Sequence, residues 1–101
     1  MTEKALSLLG LCMRAGRMVS GEETCVKAIR AGNAHLAVID GGASANARKA
    51  LGDACAYRQV PLLITDPGQL GQAVGKRNRM AVVVTDAGFA AAIEKAAASI
   101  G

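Results

Sequence analysis

The sequence predicts an α/β protein, a single-domain α-β-α sandwich spanning residues 1–101, with a small mixed sheet of about four strands. Three observations carry that prediction. Short apolar runs at 35–40, 60–65 and 80–85 alternate with longer segments of helical periodicity. The His35–Asp40 stretch holds a compact apolar run rather than an alternating one, as in a sheet covered on both faces. No linker or repeat of domain size breaks the alternation.

The elements follow in order. Residues 3–15 read as a helix whose polar positions, Glu3, Ser7, Gly10 and Arg14, form only a narrow stripe, so it should pack on several sides. Gly16 is its expected stop, and Arg17-Met-Val a short extended link. Ser20 and Glu23 make an S-x-x-E capping box, which sets Ser20 as the N-cap of a second helix ending at Gly32. In that helix Cys25, Ala28 and Ile29 share one face, with Val26 at its edge, and Glu23, Lys27 and Arg30 share the opposite face. His35–Asp40 is a strand, Gly41-Gly42-Ala43 a loop, and Ser44 the cap of a helix over 45–58. Val60–Thr65 is the next strand, with Pro61 near its start, where proline is tolerated. Asp66 as N-cap and Pro67 as first residue open a short helix running to Val74. Gly75-Lys76-Arg77-Asn78-Arg79 is a basic loop before the strand Met80–Thr85. Asp86 then caps an Ala-rich helix expected to bury Phe89, Ile93 and Ile100.

Composition narrows the function. Twelve basic residues against eight acidic give +4, a modest pointer to nucleic acid. The cations cluster: Arg14, Arg17, Lys27 and Arg30 in one region, and Lys76, Arg77 and Arg79 in a second. Three cations in four residues repel one another, which favours a polyanionic partner for that loop. Tyr57 and Phe89 are the only aromatic residues, too few for a single-strand stacking platform, so a nucleic acid would be read by backbone, shape or base edges. Cys12, Cys25 and Cys55 are odd in number and widely spaced, and His35 is the one histidine. Neither a disulfide framework nor a metal or cofactor site is expected, and the thiols read as buried and structural. The N-terminus does not read as a secretory signal and no apolar run approaches membrane-spanning length, so a cytoplasmic, non-membrane protein is expected.

Other constellations have plainer readings. Asp40, Asp66 and Asp86 each end a strand, and parallel strands would gather them at one sheet edge as a Mg²⁺ phosphotransfer site. Against this, two of them serve as helix caps. The segment Gly68 to Lys76 fails the phosphate-loop pattern, since Leu70 and Arg77 stand where Gly and Ser or Thr are needed. Glu23 lies four residues before Lys27, the favoured order for a helix ion pair. His35 has no partner for a catalytic triad and reads as a rim residue.

The order helix, Ser20-Gly21 to Lys27 helix, strand, helix, Val-Pro strand, Leu70-Gly71-x-Ala73-x-Gly75, basic loop, strand, helix resembles the kink-turn RNA-binding ribosomal protein family, archaeal L-seven-Ae-like. Arg14-Ala-Gly-Arg-Met-Val-Ser-Gly-Glu-Glu23 and Ala43-Ser-Ala-Asn46-x-x-Lys49 resemble its small bacterial YlxQ branch. The resemblance implies a non-enzymatic protein whose second helix enters the opened groove of a kinked duplex. Carried over, Gly21 opens the reading segment, with Glu22 beside it. Glu23 and Thr24 fall where the family has Asn and Glu, and Lys27 matches a phosphate-facing Lys. Arg30 continues the basic stripe, and Ser44 falls near a contact position. Gly75, Lys76, Arg77, Asn78 and Arg79 form the loop over the kink. Unlike Asn, an ionised Glu23 can only accept hydrogen bonds.

The sequence therefore predicts a protein of the translation or ribosome machinery that recognises structured RNA, kink-turn or ribosomal, through the second helix's N-terminus and the 76–79 loop. Ribosomal or other translation and transcription proteins are further expected partners. A protein-interaction adaptor using Glu22 and Glu23 is the alternative, with the phosphotransfer domain behind it.

Overall fold

The computed structural model describes residues 1–98, and Ile100, expected in the last helix's core, lies outside them. The described elements are α1 (Glu3–Arg14), β1 (Met18–Ser20), α2 (Glu22–Arg30), β2 (Leu36–Asp40), α3 (Ala45–Arg58), β3 (Leu62–Thr65), α4 (Gln69–Val74), β4 (Ala81–Val84) and α5 (Ala87–Ala98). The strands form one mixed sheet in the order β1-β4-β2-β3. β4 runs antiparallel to both β1 and β2, while β2 and β3 are parallel.

Side-chain alternation divides the core between the two faces of this sheet. Leu36, Val38, Val82 and Val84 pack with Leu9, Cys12, Leu70, Val74 and Ile93 of α1, α4 and α5. Ala37, Ile39, Ala81 and Val83 pack with Cys25, Ile29, Leu51 and Cys55 of α2 and α3. Every residue of β2 and β4 is buried, the terminal Asp40 included, which is why both read as near-continuous apolar runs, whereas β3 at the sheet edge is only partly covered. Each fully buried Leu, Ile or Val contributes about 1.5–3 kcal/mol. Phe89 is half-buried against the first of these cores, beside the buried Ile93.

The three cysteines are free and buried. Burial, with Asp86 adding, pushes the Cys12 thiol up to about 11. Cys25 rises to about 12 through burial, against the pull of Arg79 and with a further push from Cys55, and Cys55 is raised by burial. They act as small core side chains.

Several helix ends fall where expected. Gly16 and Gly32 have φ of +72° and +81°. Ser44 Oγ accepts from the Ala47 amide at 3.1 Å, and Asp86 Oδ2 from the Phe89 amide at 2.8 Å. Thr2 adds a cap not anticipated from sequence: its hydroxyl accepts from Ala5 at 3.2 Å and donates to the Ala96 carbonyl at 2.9 Å, tying α1 to α5.

Two starts differ from expectation. Arg17-Met-Val is no mere link, because Met18–Ser20 pair with Val84–Val82 as an outer strand. That pairing keeps the chain extended through Ser20, so the capping box does not form. The turn comes at Gly21, the true N-cap, with φ 99° and no side chain to offer. Likewise α4 starts at Gln69 behind Gly68 (φ 86°), not at Asp66. The Asp66 backbone is closed into a turn by Gln69, whose Oε1 accepts the Asp66 amide at 2.9 Å and whose amide donates to the Asp66 carbonyl at 3.1 Å.

Candidate nucleic-acid interface

β1, β2 and β3 all finish, and β4 begins, at the same end of the sheet. This follows from the pairings Ser20 with Val82, Ile39 with Ala81 and Asp40 with Thr65. Four loops distant in sequence therefore meet there: Gly21, Gly41–Ser44, Asp66–Gly68 and Gly75–Arg79. Two backbone bonds fasten them, Gly21 N–H to the Ala81 carbonyl at 3.0 Å and Asp40 N–H to the Met80 carbonyl at 2.8 Å. The N-termini of α2 and α3 open at this end, and aligned amides there favour anions.

Among the sequence-predicted residues, Gly21 opens α2, whose first intrahelical bond is Cys25 N–H to the Gly21 carbonyl at 2.9 Å. The amides of Glu22, Glu23 and Thr24 precede that bond, and all three residues are exposed. Lys27 is exposed one turn further along. The Glu23–Lys27 ion pair does not form; among the described residues the one ion pair is Lys49–Asp53, at 3.3 Å. Glu22, Glu23, Val26, Lys27 and Arg30 line a shallow depression of about 530 Å³ on the outer face of α2. Arg30 stands in the last turn, about 12 Å along the helix from its start, so the fold does not bring it to the meeting of loops. Its carbonyl instead accepts from Arg58.

The loop Gly75–Arg79 is held from below. Gly75 (φ 72°) ends α4, and Lys76 N–H donates to the Gly71 carbonyl at 2.9 Å. Asn78 takes a left-handed conformation (φ 58°) that Asn tolerates better than most residues. Lys76, Arg77 and Asn78 are exposed, while Arg79 is half-buried. The Arg79 side chain turns across to α2: Nη1 lies 3.6 Å from where a Cβ on Gly21 would stand, and Thr24 Oγ1 lies 3.9 Å from the same point. Ser44 is exposed at this end too, with its hydroxyl engaged in the α3 cap.

Sequence reasoning weighs Asp40 only as a strand-end metal ligand and misses its role in holding the loops. Fully buried, it accepts hydrogen bonds from Gly42 N–H (2.8 Å), Gly68 N–H (3.0 Å), Leu70 N–H (3.1 Å) and the Thr65 hydroxyl (3.0 Å). Burial alone would push this carboxyl up, but those four donors together hold it below the usual carboxylate range. The signal was available in the unbroken apolar run ending in an acid, opposite a Thr at the end of the neighbouring strand.

The gathering of three strand-end aspartates is overturned. β4 is antiparallel, so Asp86 lies at the opposite end of the sheet from Asp40 and Asp66. Asp40 is also filled by internal donors, and no group of three metal-ligating side chains occurs among the described residues. No helix among them is long and apolar enough to cross a membrane.

Residues 3–94 match the model of the Ribosomal protein L7Ae/L30e/S12e/Gadd45 family. The chain belongs to this family. Within it, the chain is 43% identical over 84 residues to a protein of Bacillus subtilis named RNA-binding protein YlxQ, covering 82% of this chain and 84% of the relative. A protein of the same name from Enterococcus faecium is 35% identical over 89 residues, covering 87% and 85%. These place the chain in the YlxQ branch. A solved structure from Bacillus halodurans, described as a protein with unknown function, superposes with a TM-score of 0.89 at 36% identity, covering 94% of this chain and 97% of that one. The Giardia lamblia 15.5kD RNA binding protein superposes with a TM-score of 0.74 at 18% identity, covering 97% and 92%, a likeness of fold.

Proposed function

We propose that this protein is a cytoplasmic, non-enzymatic RNA-binding protein of the translation or ribosome machinery, folded as one domain over residues 1–101. It recognises structured, kink-turn-like RNA through the N-terminus of α2 and the loop 76–79. The observation carrying this reading is the bridge between those two segments, with Arg79 of the basic loop lying against Gly21 at the helix start. Membership of the family, and relatives named for RNA binding, support a binding role rather than catalysis.

On this reading Lys76, Arg77 and Lys27 meet phosphates. The free amides of α2 and the Thr24 hydroxyl approach base edges or backbone oxygens. Glu22 and Glu23 bring negative charge to the same helix end, so the RNA must offer donors there, as base amino groups do. Such shape-based readout suits a chain almost without aromatic residues.

The test is a titration with a kink-turn RNA and with the same RNA after its sheared G·A pairs are replaced by Watson–Crick pairs, at two salt concentrations. Preference for the kinked RNA that survives higher salt is expected. Equal binding that collapses with salt would reduce the surface to a generic basic patch. Loss of all RNA binding, with a nuclease-resistant protein partner, would favour the adaptor reading of Glu22 and Glu23.

A further inference from the structure

The Asp40 carboxylate touches none of the exposed residues assigned to RNA, yet it fastens three segments of the end of the sheet where they stand. Oδ2 takes Gly42 and Gly68, and Oδ1 takes Thr65 and Leu70. We propose that Asp40 is a positioning residue for the 75–79 loop, acting through α4; this inference rests on the RNA-binding reading above.

The helix α4 has six residues, too few to hold its own geometry without tertiary support. Gly68, its N-cap, offers no side chain, so two amides at its start depend on Asp40. The far end of the helix passes straight into the basic loop. A Cβ on Gly71 would stand 2.6 Å from the Lys76 carbonyl and 3.5 Å from the amides of both Asn78 and Arg79, so the loop lies directly on α4. On its other side α4 meets α1, where a Cβ on Gly10 would stand 2.8 Å from the Ala73 carbonyl. Packing this close leaves no slack: a shift at Leu70 is passed to Lys76 through Gly71.

An amide at position 40 keeps the size of the carboxylate but puts an NH₂ against donors on one side. Thr65 offers an independent handle. Its hydroxyl lies 3.0 Å from Asp40 Oδ1 and 2.9 Å from the Asp66 carbonyl, inside the fold and away from the solvent-facing cations.

The experiment compares the wild type with Asp40→Asn, Thr65→Val and Thr65→Ser, each at a temperature where circular dichroism shows it folded. Two quantities are read: the amide NMR shifts of Lys76 to Arg79 against those of Glu94 and Lys95, and kink-turn RNA affinity at two salt concentrations. Asp40→Asn and Thr65→Val should move the loop amides while leaving those of α5 in place. They should also weaken binding by roughly fivefold to tenfold, with a shallower salt slope, as when one phosphate contact is lost. Thr65→Ser, which keeps the hydroxyl, should behave as wild type.

Unmoved loop amides in Asp40→Asn and Thr65→Val would overturn Asp40's role whatever the RNA does. So would a Thr65→Ser variant as impaired as Thr65→Val. If Asp40→Asn does not fold, the two Thr65 variants decide the matter. Failure of the wild type to bind RNA would sink the proposed function instead, a result separate from the loop shifts.

Discussion

The Arg79 guanidinium lies over Gly21, with Nη1 3.6 Å from the position a Cβ would take there. The Arg79 Nε is buried without a hydrogen-bond partner among the described residues. Gly21 also holds φ at 99°, a conformation that costs a non-glycine residue about 2 kcal/mol. Gly21→Ala should therefore lower stability by roughly that amount in urea unfolding and displace Arg79 from the helix start. RNA affinity measured on the folded fraction should fall as well. An unaltered midpoint would show that the turn relaxes freely.

Single replacements of Lys27, Lys76 and Arg77 by Ala should leave thermal stability within about 0.5 kcal/mol, since all three side chains are exposed. Each should weaken RNA binding across sequences and reduce the salt slope by about 1. Arg30→Ala should do less, because Arg30 lies at the far end of α2. A filter-binding salt series separates these outcomes, and equal effects at positions 27 and 30 would mean that the RNA runs along the whole helix.

The depressed Asp40 carboxyl makes the fold acid-sensitive. Its stabilising effect is complete above the ordinary value of 3.8 and is lost as pH falls through its lower value in the fold. Asp40→Asn should cost about 3 kcal/mol near neutral pH, because buried donors lose a charged acceptor. Below the ordinary value the gap between variant and wild type should shrink. Urea midpoints of the two proteins against pH would show this, and a constant gap would mean that Asp40 is not ionised in the fold.

The thiols give the opposite limb. A thiol raised by burial is stabilising below its unfolded value of 9.0, and that contribution is lost as pH rises through about 11 for Cys12 and about 12 for Cys25. Native protein near pH 8 should therefore react slowly with a thiol reagent such as Ellman's, and all three cysteines should react promptly in denaturant. Fast labelling of any one in the native state would reveal local opening at its helix.

The α/β class and the borders of α3 were legible because period and cap agreed: Ser44 opens Ala45–Arg58 as its hydroxyl suggests. The start of α2 was misread because Ser20-x-x-Glu23 is a good local signal that a long-range one overrides. Strand pairing with Val82 claims Ser20, and no window of neighbouring residues contains that partner. Asp66 was misread for a related reason. Asp40, which does the capping there, stands 28 residues from Gly68. The loop cations could be found as a cluster, but Arg79's separate placement depends on β1 and β4 being neighbours.

The sheet order also bears on how the chain is made. β1 and β2 do not touch; β4, formed by residues 81–84, sits between them. A ribosome therefore releases β1 and β2 before the strand that joins them exists. Until that strand emerges, α2 can pack on α3, but β1 and Gly21 at the start of α2 lack the partner that fixes them to the sheet. On the RNA-binding reading, competence should thus appear in one step, once residues 81–84 have been made, rather than build up gradually.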